Sequence, residues 1–193
     1  MKKLSLLLAA LLILSSTVVS AEWETFKSAD GMYEYTKDGV ITAYYGDEFA
    51  FFPAEIDGTI INEIGVMACF DLGLEAISVA EGIELINTNA FEGCNAESAY
   101  IPSSVKNIGE RAFANCANLN EVTLNSEEIT FDFDVFAGTG FIQFYIPCTA
   151  DEHVMYEKIS DAKGDGNFEF LTMHTALVES MEEKDIFGEN MIY

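Results

Sequence analysis

The nine residues Ile86 to Cys94 read INTNAFEGC, and 22 residues later Ile108 to Cys116 read IGERAFANC. Self-similarity at a fixed period of this size is the mark of a chain built from stacked units, and it restricts the fold more than any other feature of the 193 residues. Isoleucine recurs at Ile64, Ile86 and Ile108, alanine at Ala68, Ala90 and Ala112, and phenylalanine at Phe91 and Phe113. An apolar pattern closes each unit: Leu74, Ile77, Val79; Ala96, Ala99, Ile101; Leu119, Val122, Leu124; Phe141, Phe144, Ile146. Those closing patterns advance in steps of 22, 23 and 22 residues. Pro53, Pro102 and Pro147 each follow the last apolar position of a unit. A degenerate copy of the middle part reads Phe131, Val135, Phe136.

One such unit is a strand of three or four residues with alternating sides, plus a compact turn bearing the Ala-Phe pair. Its apolar side chains find cover only when the next unit stacks on it. The fold class expected is therefore a mainly β solenoid, a short parallel-strand ladder of 22–23-residue units. Ile64, Ile86 and Ile108 form one internal column, joined in the core by Ala90, Phe91, Cys94, Ala112, Phe113 and Cys116. The prolines end strands, because proline cannot donate to a central ladder.

The stretches IGERAFANCANLNEVTL and IPSSVKNIGERAF resemble BspA-type leucine-rich repeats, found in secreted and surface proteins of bacteria and some protozoa. The segment FFPAEIDGTIINEIG resembles the usual first unit of that family, and the resemblance covers about residues 33–147. It implies leucine-rich repeats and a non-catalytic adhesion or host-interaction role. The departures are Cys69 in place of Phe, Leu72 in place of Cys, Glu97 and Ser98 in an otherwise ordinary strand, and a unit at 125–140 that lacks both the Ile-Gly and the Cys. Ladder irregularity is expected there.

The flanks read differently. Residues 1–21 place Lys2 and Lys3 before an apolar run from Leu4 to Leu14 and small residues up to Ala21, the order of a secretory signal peptide cleaved after Ala21. The run is shorter than the ~20 apolar residues a bilayer span needs, so no membrane insertion is expected after cleavage. Residues 22–52 are an N-terminal β cap, with Met32 to Tyr45 alternating around Asp38-Gly39 as a hairpin does. Repeats occupy 53–147. Residues 148–193 are a C-terminal cap, mostly helical: DEHVMYEKI and TALVESMEEKDIF space apolar residues three and four apart, with a turn and a short extended piece between them.

The charge excludes one large class of partners. Loss of Lys2 and Lys3 takes the formal net charge from −24 to −26, which repels nucleic acid and anionic membranes. Solubility is the plain reading of that charge, and attraction of cationic partners the sharper one. No constellation for catalysis emerges. His153 and His174 lack metalloprotease spacing, and there is no nucleophile elbow. DAKGDGNFEFLT echoes a calcium loop but sets Lys163 and Thr172 at two ligand positions. Paired carboxylates are too common among 33 acids to signal a glycosidase. The expectation is a non-enzyme with neither metal nor cofactor. Cys94 and Cys116 occupy equivalent places in adjacent units; small buried thiols and a 94–116 disulfide are both open readings.

What remains is a surface. The residues between the last two inward positions of each strand are Ser78, Tyr100, Thr123 and Tyr145, and beside them stand Ala76, Ser98, Glu121 and Gln143. The partner face assigned from sequence is Ser78, Tyr100, Glu121, Thr123, Gln143 and Tyr145. Exposed tyrosines with hydroxyls and amides beside them suit contact with a protein or glycan at a cell surface or in a host; exposed-strand propensity alone also favours Tyr and Thr. The function expected is an exported interaction or adhesion module, secreted or held at the cell surface. The alternative is a secreted scaffold component that self-associates or joins an envelope assembly.

Overall fold

The computed structural model describes residues 24–163 and 167–173. Three backbone ladders run the length of the stack. The first begins with β1 (Thr25–Lys27), β2 (Tyr33–Thr36) and β3 (Val40–Tyr44), with β2 in the middle and antiparallel to both neighbours. From β3 onward it is parallel: β7 (Glu63–Ile64), β9 (Leu85–Ile86), β11 (Asn107–Ile108) and β13 (Thr130–Phe131). Register aligns Ile41, Ile64, Ile86, Ile108 and Phe131 in one row. The four isoleucines are fully buried. The column expected at three positions thus extends one unit in each direction, and the ladder continues through the degenerate unit instead of breaking there.

The second ladder is a six-stranded parallel sheet: β4 (Phe49–Phe52), β8 (Ala76–Val79), β10 (Ser98–Ile101), β12 (Glu121–Leu124), β14 (Ile142–Pro147) and β15 (Phe168–Met173). Between β4 and β7 a small hairpin is inserted, β5 (Glu55–Ile56) with β6 (Thr59–Ile60), turning at Asp57-Gly58. Pro53 and Pro102 directly follow β4 and β10, while Pro147 is itself the last residue of β14. One inward assignment is corrected. Phe141 is 47% exposed and Ile142 fills the interior, because β14 alternates Ile142, Phe144, Ile146 inward.

The third ladder lies in the turns. Each turn holds two residues in the left-handed region, four apart: Met67 and Asp71, Asn89 and Gly93, Arg111 and Asn115, Asp134 and Gly138. Asn, Asp and Gly tolerate that region with the least steric cost. The geometry turns the backbone N–H groups along the stack, so Cys69 donates to Ala90, Phe91 to Ala112 and Phe113 to Val135, all at 2.8–2.9 Å. At Arg111 the guanidinium reaches back to Glu92 Oε1 at 2.5 Å, and Asn115 Nδ2 donates to the same oxygen at 2.9 Å. The hydrogen bond from Arg111 is the main cause holding the Glu92 carboxyl below its ordinary range.

Inside the ladders runs a column of rings. Phe91 and Phe113 stack at 5.1 Å between centroids, and Phe113 and Phe136 at 5.7 Å. Phe52 meets Phe91 at 5.2 Å, and Phe144 meets Phe136 at 5.3 Å. Cys69 stands where the template calls for Phe, and the ring neighbouring Phe91 on that side is Phe52, supplied from β4.

Neither Cys94 nor Cys116 is bridged. Each thiol donates to the carbonyl at the Phe position of the preceding unit: Cys94 Sγ to Cys69 O at 3.0 Å, Cys116 Sγ to Phe91 O at 3.1 Å. Burial pushes both thiols up to about 12. A raised thiol pKa contributes stability that is fully present below the unfolded value of ~8.5 and is lost progressively as pH rises from there through the folded value of about 12. We expect the native chain at pH 8 to leave Cys69, Cys94 and Cys116 unlabelled by an aromatic disulfide reagent, with exposed Cys148 reacting and the other three following only on unfolding. Rapid native labelling of Cys94 or Cys116 would contradict this packing.

Both ends are covered. The β1–β3 sheet closes the N-terminal side, where Tyr33 OH donates to Phe51 O at 2.5 Å. On the other side lies the helix α1 (Glu152–Lys163), capped by Asp151 Oδ1, which accepts from the N–H groups of His153 and Val154 at 2.9 and 3.2 Å. Its Met155, Ile159 and Ala162 are buried, and Ala162 O accepts from Phe136 N at 3.1 Å. The helix thus supplies the carbonyl that a further turn would have supplied. Thr139 holds the Cys position of this last turn, and buried Lys163 donates to its hydroxyl at 2.9 Å. After α1 the described chain adds β15 to the sheet. The expected signal peptide at 1–21 and the second helix at 175–187 lie outside the described residues.

Candidate binding surface

In the six-stranded sheet, alternate residues turn into the core and the rest form the outer face. Register sets these outward residues in two rows. One row reads Phe51, Ser78, Tyr100, Thr123, Tyr145, Leu171; the other, two residues earlier on each strand, reads Phe49, Ala76, Ser98, Glu121, Gln143, Glu169. All six residues assigned to the face from sequence fall within this pair of rows. The sequence-based assignment omitted both ends, Phe49 and Phe51 on one side, Glu169 and Leu171 on the other.

Within the first row, large and small side chains alternate. Ser78 and Thr123 retain 9% and 8% exposure, because each sits between two bulky neighbours. They are not freely presented hydroxyls, as the sequence pattern suggested, but the floors of notches flanked by Phe51, Tyr100 and Tyr145. The tyrosines lie down along the sheet rather than standing off it. Tyr100 OH accepts from Asn125 Nδ2 at 2.6 Å, and Tyr145 OH donates to Gln143 Oε1 at 2.8 Å. Gln143 Nε2 donates in turn to Glu169 Oε1 at 2.6 Å. Burial, then the nearby carboxylates of Glu121 and Glu169, raise the Tyr145 pKa, so the hydroxyl stays protonated and keeps its donor role.

The electrostatics are one-signed. Glu121 and Glu169 are exposed in the second row, and Glu75 and Glu97 are exposed just ahead of β8 and β10. No Lys or Arg occurs in either row. An open groove borders the start of β4 and β8, lined by Tyr44, Tyr45, Asp47, Glu48 and Leu74 among others. Among the described residues no group of three His, Cys, Asp or Glu is arranged to hold a metal ion, and no helix is long and apolar enough to cross a membrane.

A family model described as BspA type leucine rich repeat region matches residues 49–156 in six copies. The chain is similar to a leucine-rich repeat protein from Bacteroides capillosus, at 23% identity, covering 63% of this chain and 97% of that one, with a TM-score of 0.54. It also matches a T. pallidum leucine-rich repeat protein (19% identity, 65% and 69% covered, TM-score 0.39) and the pneumococcal vaccine antigen PcpA (13% identity, 67% and 45% covered, TM-score 0.41). No curated protein matches.

Proposed function

The chain belongs to the BspA-type leucine-rich repeat family, whose members often mediate protein interaction or adhesion, and we propose that it is a non-catalytic, exported module that binds a protein or glycan through the outer face of its six-stranded sheet. The observation behind this reading is the pair of aligned rows. Aromatic faces, a fixed amide-hydroxyl network and exposed carboxylates are gathered on one rigid surface, and preorganised area of this kind is what interfaces draw on. Export follows from the expected signal peptide, and retention at the cell surface is part of the same reading. Members of such families are typically non-enzymatic, in keeping with the lack of a catalytic constellation in the sequence.

The test is capture of immobilised host matrix proteins and cell-wall glycans by residues 22–193, compared with the double variant Tyr100→Ser, Tyr145→Ser. Removing two half-buried rings from the centre of an interface is expected to weaken capture by about tenfold or more while leaving the circular-dichroism spectrum unchanged. Capture that is equal in the two proteins excludes the strip.

A second reading has its own observation. Strand β4 is the last strand of the sheet, and its Phe49 and Phe51 are 49% and 37% exposed, an apolar patch at the end of the two rows that a second copy could cover. As a self-associating scaffold component, the protein would show concentration-dependent light scattering that falls on Phe51→Lys.

A further inference from the structure

The spacing along the outer rows restricts what fits them. Phe51, Tyr100 and Tyr145 stand on alternate strands, two ladder steps apart, which is about 9.6 Å between successive aromatic positions. An extended β peptide laid across the strands presents same-face side chains every ~6.7 Å and falls out of phase after one contact. A polyproline II helix repeats every three residues, at about 9.3 Å per turn, and stays in phase across all three rings. Such helices are recognised on aromatic surfaces, since their rigid rings fill the spaces between aromatic side chains with little ordering cost. Here those spaces are the notches over Ser78 and Thr123.

The sign of the charge narrows the partner further. Glu121 and Glu169 flank the ring row, with no basic residue in either row. Anionic segments are repelled, and Lys or Arg is drawn to the carboxylates. We propose that the strip takes a basic segment of a partner protein in the polyproline II conformation, with a proline or other apolar residue of every third position over the notches and with Arg or Lys toward Glu121 and Glu169. The proposal rests on the reading of the strip as a binding face.

Fluorescence anisotropy of a labelled peptide of repeating Pro-Pro-Arg, titrated with residues 22–193, tests it. Repeating Gly-Ser-Arg has the same charge without the helix, repeating Pro-Pro-Glu has the helix with the opposite charge, and a neutral β-linked glucan oligomer serves as competitor. The expected result is binding of Pro-Pro-Arg about tenfold or more tighter than Gly-Ser-Arg, none of Pro-Pro-Glu, weakening by added salt, and a loss of about tenfold or more in Tyr100→Ser, Tyr145→Ser. A second variant, Glu121→Gln, should lower Pro-Pro-Arg affinity and flatten its salt dependence without touching the rings. Equal binding of the two basic peptides, binding that survives the tyrosine substitutions, or no peptide binding at all overturns the proposal. Glucan capture that depends on the tyrosines also overturns it, yet leaves the strip as the binding face. Only tyrosine-independent capture of every partner removes both.

Discussion

Phe113→Ala is expected to cost about 3–5 kcal/mol of stability, the range for emptying a fully buried phenylalanine site. Phe113 has no exposed surface and stacks on both sides, on Phe91 at 5.1 Å and on Phe136 at 5.7 Å. Its backbone also belongs to the turn ladder, with its N–H donated to Val135 O at 2.9 Å. The units on either side are held apart by those backbone bonds, so the space cannot simply close and a cavity remains. In a chain of this size the loss corresponds to a drop of roughly 6–20 °C in Tm. Phe133→Ala is the matched control. That ring is 70% exposed in the adjoining turn, and its removal should fall within about 0.5 kcal/mol of zero. Equal Tm values for the two variants would show that the rings are not what couples the units.

Gly39→Val should be the most damaging change in the N-terminal cap. Gly39 has φ +86, in a region that a β-branched residue almost never adopts. Strain of that kind alone costs about 1–3 kcal/mol. A Cβ at this position would also overlap the carbonyl oxygen of Ile60, a backbone atom held by the β5–β6 hairpin. The backbone there is needed by its neighbours. Gly39 N donates to Thr36 O at 3.0 Å to close the loop, and Gly39 O accepts from Asn62 and Glu63 at 3.0 and 3.2 Å to join the cap to the first repeat. The variant should therefore lose native-state amide protection across β2, β3 and β7 before it loses protection in β10 and β12. Protection unchanged in β7 would mean the cap and stack are not joined through this carbonyl.

Much of this architecture could be read from the spacing of a few residues. Ile64, Ile86 and Ile108, with the Ala-Phe pairs that follow, fix a period, and a period fixes which side chains must stack. The period failed at its two interruptions. From Phe52 to Val79 the step is 27 residues, because the β5–β6 hairpin is inserted, so a 22-residue period leaves β4 in the cap instead of the sheet. From Tyr145 to Leu171 it is 26, because α1 intervenes, so the sequence pattern shows β15 only as a short extended piece. Both interruptions hide an end of the outer-face rows, while the four strands between them keep the plain period. The notches at Ser78 and Thr123 were hidden for another reason. Which neighbour shades a serine depends on cross-strand register, and register is settled between chain segments 22 to 27 residues apart. The left-handed residues Met67 and Arg111 gave no compositional signal, unlike Asn89 and Asp134 in the equivalent turns.

A single comparison tests whether the outer face of the six-stranded sheet is the proposed binding face. Ser98→Arg places a long charged side chain in the middle of the outer rows, between Ala76 and Glu121. Glu84→Arg makes a substitution just ahead of β9, in the ladder of the isoleucine column, at an exposed residue, where Ser98 is half-buried. Surface plasmon resonance of both variants against the same captured partner should show binding lost or strongly reduced in Ser98→Arg and retained in Glu84→Arg. Loss in Glu84→Arg with binding intact in Ser98→Arg would contradict the account and move the functional surface to the other side of the solenoid.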